Sequence, residues 1–562
     1  MLLRKAVVLF VLAALVFAGQ AQAEQKPIED YWAETGLKLD NIKIRVIVNS
    51  NCNKALIFAR GCVSALDTLA RFGQPMRGFF PKSMVQEYAD RIVKVEELDL
   101  GDFVLAQIKP VSAPKPMPSL YQRYSQQKQD LTRLYAAYDQ VTVSGTVDFE
   151  KLLDQITPLV LNPKLESFQT ATAINEFFSF AEAHASLVPR KKMEDQTKTA
   201  GTTQFVGIGV ELAHINSKYI IKPQRGGPAA KAKLITNDAI VKVDGFGVSD
   251  LTMGQLVEKL RGKAGSRVKL LIEREGRPAF ETSIVRGAIK VGNVESSPVE
   301  DGRRRLGYMR LHSFLNKSSC KDVRTAILKH QKAKAQGLIL DLRENSGGST
   351  AEAACIAGLF VGKKLIMRQR VLDHVKAMSG GILKDEDLVS PVDKITDLPL
   401  VVVIDASSGS ASEIVAGSLQ DEKRAWILGE RSFGKGSVLS PIGYDHPNPA
   451  VAEIWILSMI ARFHFVSGRT NQIVGISPDF TVPFKPGATE EERFRLREAE
   501  AMPNALHALG EAWQQPRPEQ VAQIEACVME KGVALQKYED SRRRSQIFDY
   551  QIQYAADVLN CQ

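Results

Sequence analysis

The pattern of apolar and polar positions changes character three times along the chain. From residue 24 to about residue 200, apolar residues recur at helical spacing, as in 53–71 and 119–138, and the proline-rich stretch 109–118 reads as an extended connector. From about Thr203 the runs become short and β-rich, parted by glycine turns. Here 207–212 opens a strand, 225–232 reads as a turn into a short helix, and 237–245 as turn, strand and turn; a helix over 253–261 and a strand over 267–274 follow. Beyond Gly292 strand and helix alternate: strands over 306–311 and 337–342, helices over 319–332 and 350–360, then the same design again with a strand over 399–404 and a helix from Ser412. Near-continuous apolar runs such as 337–342 suit strands covered on both faces. The tail, 489–562, returns to charged helical sequence. The pattern predicts a multidomain α+β protein with a helical N-terminal region (24–200), a small β-rich domain (201–292), an α/β core (293–488) and a helical C-terminal region (489–562).

Length and composition agree. The 562 residues exceed one ordinary core, and 44% hydrophobic with 24% charged residues is a globular balance. Residues 1–23 stand apart: Arg4 and Lys5 precede an apolar run over 6–18, and Ala21-Gln22-Ala23 supplies a small-x-small cleavage pattern. The run is shorter than the roughly 20 residues that span a bilayer. The expectation is a cleaved signal peptide and a soluble exported protein, in a bacterium a periplasmic one. The six cysteines then fit an oxidising compartment. Pairing neighbours gives 52 with 62, 320 with 355 and 527 with 561, one of the fifteen connectivities that six cysteines allow.

The formal charge of +9 is spread among interspersed acids and bases and falls by two once Arg4 and Lys5 leave, so nucleic acid is not an expected partner. No cysteine or histidine spacing suggests zinc. The stretch 429–435 matches the start of a phosphate-binding loop, but Gly436 stands where Ser or Thr should hold magnesium. No cofactor is expected.

The chemistry concentrates at two turns. Ser410 sits where a predicted strand passes into a helix, whose first N–H groups favour developing negative charge. Serine is a weak nucleophile and needs a base within hydrogen-bond reach. None of the eight histidines lies in the loops concerned, whereas Lys435 occupies a compact turn, Phe433-Gly434-Lys435-Gly436. A lysine serves as base only when neutral, which burial can achieve by lowering its pKa from about 10.4. Oxyanion donors are available from the Ala411 N–H and from the Gly347-Gly348 loop, where the missing side chains permit close approach.

These residues carry a resemblance. Residues 337–361, 408–420, 429–438 and 467–483 together are similar to the motifs of the carboxy-terminal processing peptidases, or tail-specific proteases, and 183–189 resembles that family's short motif ahead of its PDZ domain. The β-rich segment 201–292 resembles a PDZ domain in the circularly permuted order of bacterial proteases. The resemblance implies a crotonase/Clp-like α/β core and a serine endopeptidase acting on protein or peptide substrates with free C-termini. Ser410 would be the nucleophile, Lys435 the general base, and the N–H groups of Ala411 and Gly347 the oxyanion donors. Ser408 would be a hydrogen-bonding neighbour, Ser412 a helix cap, and Glu413 a supporting acid. Gly207, Ile208, Gly209 and Val210 would form the loop that takes a terminal carboxylate. An activating adaptor and a homo-oligomer are further implications. One position departs: many members orient the lysine with a glutamine four residues on, and here that residue is Leu439. The alternative reading is therefore a PDZ peptide-binding scaffold that is weak or inactive as an enzyme.

Overall fold

The computed structural model describes most of residues 149–562, with breaks chiefly at 249–252, 301–303, 444–452 and 502–514, and ahead of these mainly 28–35, 56–71, 77–81, 92–96 and 103–108. The expected signal peptide and connector 109–118 lie outside the described residues, and the expected helix over 119–138 lies largely outside them. Among the described residues no helix is long and apolar enough to cross a membrane.

The N-terminal region is less helical than its periodicity predicts. Helices Leu56–Arg71 and Glu166–Ala181 pack together, but Arg77–Pro81, Ile92–Glu96 and Phe103–Ile108 form a three-stranded antiparallel sheet. Then strand Thr203–Gly207 pairs antiparallel with Gly287–Val291. Between these two strands lies a sheet running from Arg277–Val285 through Arg267–Arg274, Asp238–Val243 and Lys218–Pro223 to Val210–Ile215 at its edge. Helices Pro228–Lys231 and Met253–Leu260 close its core around Ile221, Leu256, Val268, Leu270 and Ile272.

The core is a six-stranded sheet in the order Val294–Glu300, Arg305–Leu311, Leu338–Asp341, Leu400–Ile404, Trp426–Gly429, Phe480–Thr481. Its first pair is antiparallel and the remainder parallel. Every residue of Leu338–Asp341 and Leu400–Ile404 is buried, because alternate side chains serve two layers. Leu338, Leu340, Leu400 and Val402 meet helices Ser319–Lys332, Thr350–Val361 and Ala411–Asp421. Ile339, Val401 and Val403 meet Ile524, Val528, Ala555, Val558 and Leu559 of the C-terminal helices. The charged tail is thus the second cover of the central sheet, held by the disulfide Cys527–Cys561, while Cys320–Cys355 joins two helices of the first layer. Cys62 is also disulfide-bonded; Cys52 lies outside the described residues. A second sheet orders Glu386–Val389, Leu365–Val371, Ile454–His464 and Ser437–Gly443, and Ser186–Pro189 joins it by pairing with the start of Ile454–His464.

Candidate active site

Two parallel strands deliver their loops to one place, as expected outside the carboxyl ends of such strands. Leu338–Asp341 leads into loop 342–349, and Leu400–Ile404 into the serine turn. Asn345, fully buried, joins them: its carbonyl accepts the Gly409 N–H at 3.1 Å and the Ser412 hydroxyl at 2.7 Å, while its Nδ2 donates to Leu311 O at 2.8 Å. Ser408 Oγ donates to Leu342 O at 2.9 Å and accepts the Asp405 N–H at 2.9 Å. Ser412 is therefore a tie to the neighbouring loop and not the helix cap; the N-cap of Ala411–Asp421 is Ser410.

Ser410 itself has φ 52° and ψ −111°, a conformation that costs a residue with a Cβ about 1–3 kcal/mol. The surrounding bonds hold it in this conformation at the N-cap, immediately ahead of helix Ala411–Asp421. Ser410→Gly should consequently unfold at higher urea than Ser410→Ala, by about 1 kcal/mol in stability; equal midpoints would show that the turn stores no strain.

Glu413 joins the serine turn to the lysine turn. Its Oε2 accepts the N–H of Ser410 at 2.7 Å and the N–H of Lys435 at 2.9 Å, and its Oε1 accepts the Gly434 N–H at 2.8 Å and the Ser432 hydroxyl at 2.6 Å. The amides of Ser410 and Lys435 share one oxygen atom, so they are no farther apart than those two bonds together. Burial pushes the Glu413 carboxyl up to about 7, against the pull of its donors. An acid at this first-turn position also suits the helix dipole, and both roles are present.

Lys435 keeps some exposed surface. Burial nonetheless pulls its ammonium below the usual lysine range, opposed by the charges of Glu498 and Glu413. The turn holding it is fixed on its far side by Gly436 N–H to Gln472 Oε1 at 2.9 Å and Ile473 N–H to Gly434 O at 2.7 Å. Leu439 lies on strand Ser437–Gly443, opposite Met459, with a bulge between Val438 and Leu439.

Gly347 sits against the serine. A Cβ there would stand 2.7 Å from Gly409 O, 2.8 Å from Ala411 N and 2.9 Å from Ser410 Cβ, and its φ is +106°. The loop and the serine turn are therefore in close contact. The Gly347 N–H differs from the expectation of an open donor, since it donates to Asn345 Oδ1 at 3.0 Å.

The expected carboxylate loop lies in the smaller domain. Gly207 ends its strand, Ile208 is buried in the domain core, Gly209 adopts φ +71° against Pro228 and Ile289, and Val210 begins the edge strand. Asn345, Gln472 and Glu498 were not singled out from sequence. Each lies in or beside a motif stretch, but no spacing relates them to Ser410 or Lys435.

Comparison with known proteins bears on the two domains. Residues 305–482 match the model of peptidase family S41 and residues 219–274 that of the PDZ domain. The chain is 34% identical over 359 residues to a carboxy-terminal-processing protease of Bartonella bacilliformis, covering 61% of this chain and 75% of the relative. It is 33% identical over 256 residues to the carboxy-terminal processing protease CtpA of Bacillus subtilis, covering 45% and 52% respectively. A solved photosystem II D1 C-terminal processing protease aligns at 24% identity over 61% of this chain and 90% of that one, with a TM-score of 0.35. The two sequence relatives are named as proteases, and neither favours the scaffold alternative. The chain belongs to the carboxy-terminal-processing protease family, the PDZ-containing serine peptidases of family S41.

Proposed function

We propose that this protein is an exported endopeptidase that captures protein C-termini at its PDZ domain and cleaves them with a Ser410–Lys435 dyad. The observation that carries the reading is the shared Glu413 oxygen, which brings the backbones of serine and lysine together without any histidine between them. Ser410 Oγ attacks the scissile carbonyl as its proton passes to the Lys435 amine. The oxyanion forms beside the Ala411 N–H, and the Gly347 N–H joins it by exchanging its bond to Asn345. Lys435 returns the proton to the departing amine, leaving an acyl ester on Ser410. Water then attacks the ester, with Lys435 taking its proton and giving it back to Ser410 Oγ.

The placement of the Gly207–Val210 turn supports tail capture. The turn leads directly into Val210–Ile215, the outer strand of its sheet, so an extended peptide has an edge to join while its carboxylate meets backbone donors. Export to the periplasm rests on residues 1–23 and accords with the disulfides. An activating adaptor and self-association are compatible with a peptidase governed by ligand capture.

The test is cleavage of a disordered protein with a free C-terminus, in parallel with the same protein amidated there. Amidation should reduce kcat/KM about tenfold or more, chiefly through KM. Equal rates would overturn tail recognition while leaving the peptidase chemistry standing.

A further inference from the structure

The position of the family's lysine-orienting glutamine is apolar here, yet the turn carrying Lys435 backs onto a carboxylate from elsewhere in the chain. Glu498 is fully buried. Its Oε1 is held twice, by His184 Nε2 at 2.8 Å and by Gln472 Nε2 at 3.1 Å. Gln472 uses its other end to accept the Gly436 N–H at 2.9 Å, and the Glu498 N–H donates to Phe433 O at 3.0 Å. Glu498 is thereby bolted to both sides of the lysine turn. Its second oxygen, Oε2, is shielded from water and has no hydrogen-bond partner. A buried carboxylate oxygen left without a donor is costly unless a cation compensates it.

Resting on the proposed dyad, we propose that Glu498, fixed by His184 and Gln472, is the positioning residue for Lys435 and takes over the task that Leu439 cannot perform. No hydrogen bond joins Oε2 to the lysine nitrogen in this structure; the carboxylate acts through its charge, drawing the ammonium that forms each time Lys435 takes a proton and so biasing where the side chain sits. The three residues come from separate parts of the sequence: His184 precedes strand Ser186–Pro189, Gln472 lies in the segment after Ile454–His464, and Glu498 begins the helix Glu498–Ala501. Burial is what pulls the Lys435 ammonium down, and of the two charges that oppose it Glu498 comes ahead of Glu413, in keeping with the place that the bonds to Gln472 and Phe433 give this carboxylate behind the lysine turn.

The experiment is the pH profile of kcat and kcat/KM for wild type, Glu498→Gln and Glu498→Asp, with folding checked by thermal unfolding. The charged groups facing Lys435 are Glu498 and Glu413, with His184 behind Glu498. Lysine must be neutral to act, so activity rises with pH through its pKa. Removing the Glu498 charge disfavours the ammonium and moves that rise to lower pH, by about one unit. Glu413 is present in all three proteins, so the difference between profiles isolates Glu498. Glu498→Gln should also lower the plateau kcat about 10- to 100-fold. Glu498→Asp keeps the charge but retracts it, so kcat should fall with the rise in place. A residue of merely structural importance would lower activity without moving the rise in Glu498→Gln. That result, or wild-type kcat in both variants, overturns the inference. Should Glu498→Gln fail to fold, Glu498→Asp decides alone: wild-type kcat overturns the positioning role, and a reduced kcat with unchanged KM supports it. Turnover by a Lys435→Met enzyme would instead remove the dyad, and this inference with it.

Discussion

Lys435→Met and Ser410→Ala should each reduce turnover of a disordered protein by about 10⁴-fold or more, and the double variant should be no worse than either. Saturation of the effect is expected because nucleophile and base act as one unit. Methionine matches the length of the lysine stem and carries no charge, so it relieves the desolvation that pulls the Lys435 ammonium below its usual range. It leaves untouched the Lys435 N–H bond to Glu413, which belongs to the backbone. The variant should therefore fold with its serine turn intact. Initial rates on a fluorescent unfolded substrate, with thermal unfolding as the control, measure the effect. Residual cleavage near the wild-type rate in both single variants would end the dyad assignment. The wild-type rate should also climb with pH, because the lysine is active only when neutral, and the climb should lie below the ordinary lysine range.

Much of this arrangement was legible in sequence where a single stretch carried the signal. The runs LILD and LVVVI are apolar at every turn of the pleat, or nearly so, and only strands covered on both faces use such runs. Ser410 and Lys435 stand out in sequence because a serine at a strand-to-helix turn and a lysine between glycines are the residue types that a histidine-free dyad needs. What was not legible depends on which surfaces meet. Charged helical sequence in 518–560 shows that one face is apolar, but not that this face closes the second layer of the central sheet. The short strands Arg77–Pro81, Ile92–Glu96 and Phe103–Ile108 were hidden by stronger helical periodicity around them. Ser412 reads as a cap because serine favours that place. The chain begins its helix two residues earlier than that reading assumes, and Asn345 claims the Ser412 hydroxyl. Only the resemblance marks Glu413 as a supporting acid: locally it suits the first helix turn, and nothing there reveals that its other donors come from the lysine turn.

Gly347→Ala should lower kcat about 10²- to 10³-fold, a loss of the size found when an oxyanion donor is removed, even though alanine keeps the N–H. The reason is contact geometry. The added Cβ meets Gly409 O, Ala411 N and Ser410 Cβ at 2.7–2.9 Å, so it meets backbone and a nucleophile stem, none of which is the movable end of a long side chain. The backbone there has φ +106°, a value that a residue with a Cβ rarely adopts. The strain can be relieved only by separating loop 342–349 from the serine turn. Separation takes the Gly347 N–H away from the proposed oxyanion position, where together with the Ala411 N–H it would stabilise the negative charge of the tetrahedral intermediate. Gly348→Ala provides the contrast. Its Cβ would strike Leu315 N and Phe314 C at 2.5 Å, and its three nearest contacts include no atom of the serine turn. It should destabilise the fold, yet the folded fraction should retain more activity than Gly347→Ala. Rates normalised to the serine that reacts with a fluorophosphonate, set beside urea midpoints, separate the two outcomes. If Gly347→Ala loses stability but keeps kcat per reactive serine, the close approach serves folding alone, and the oxyanion site must be sought in other donors beside Ala411.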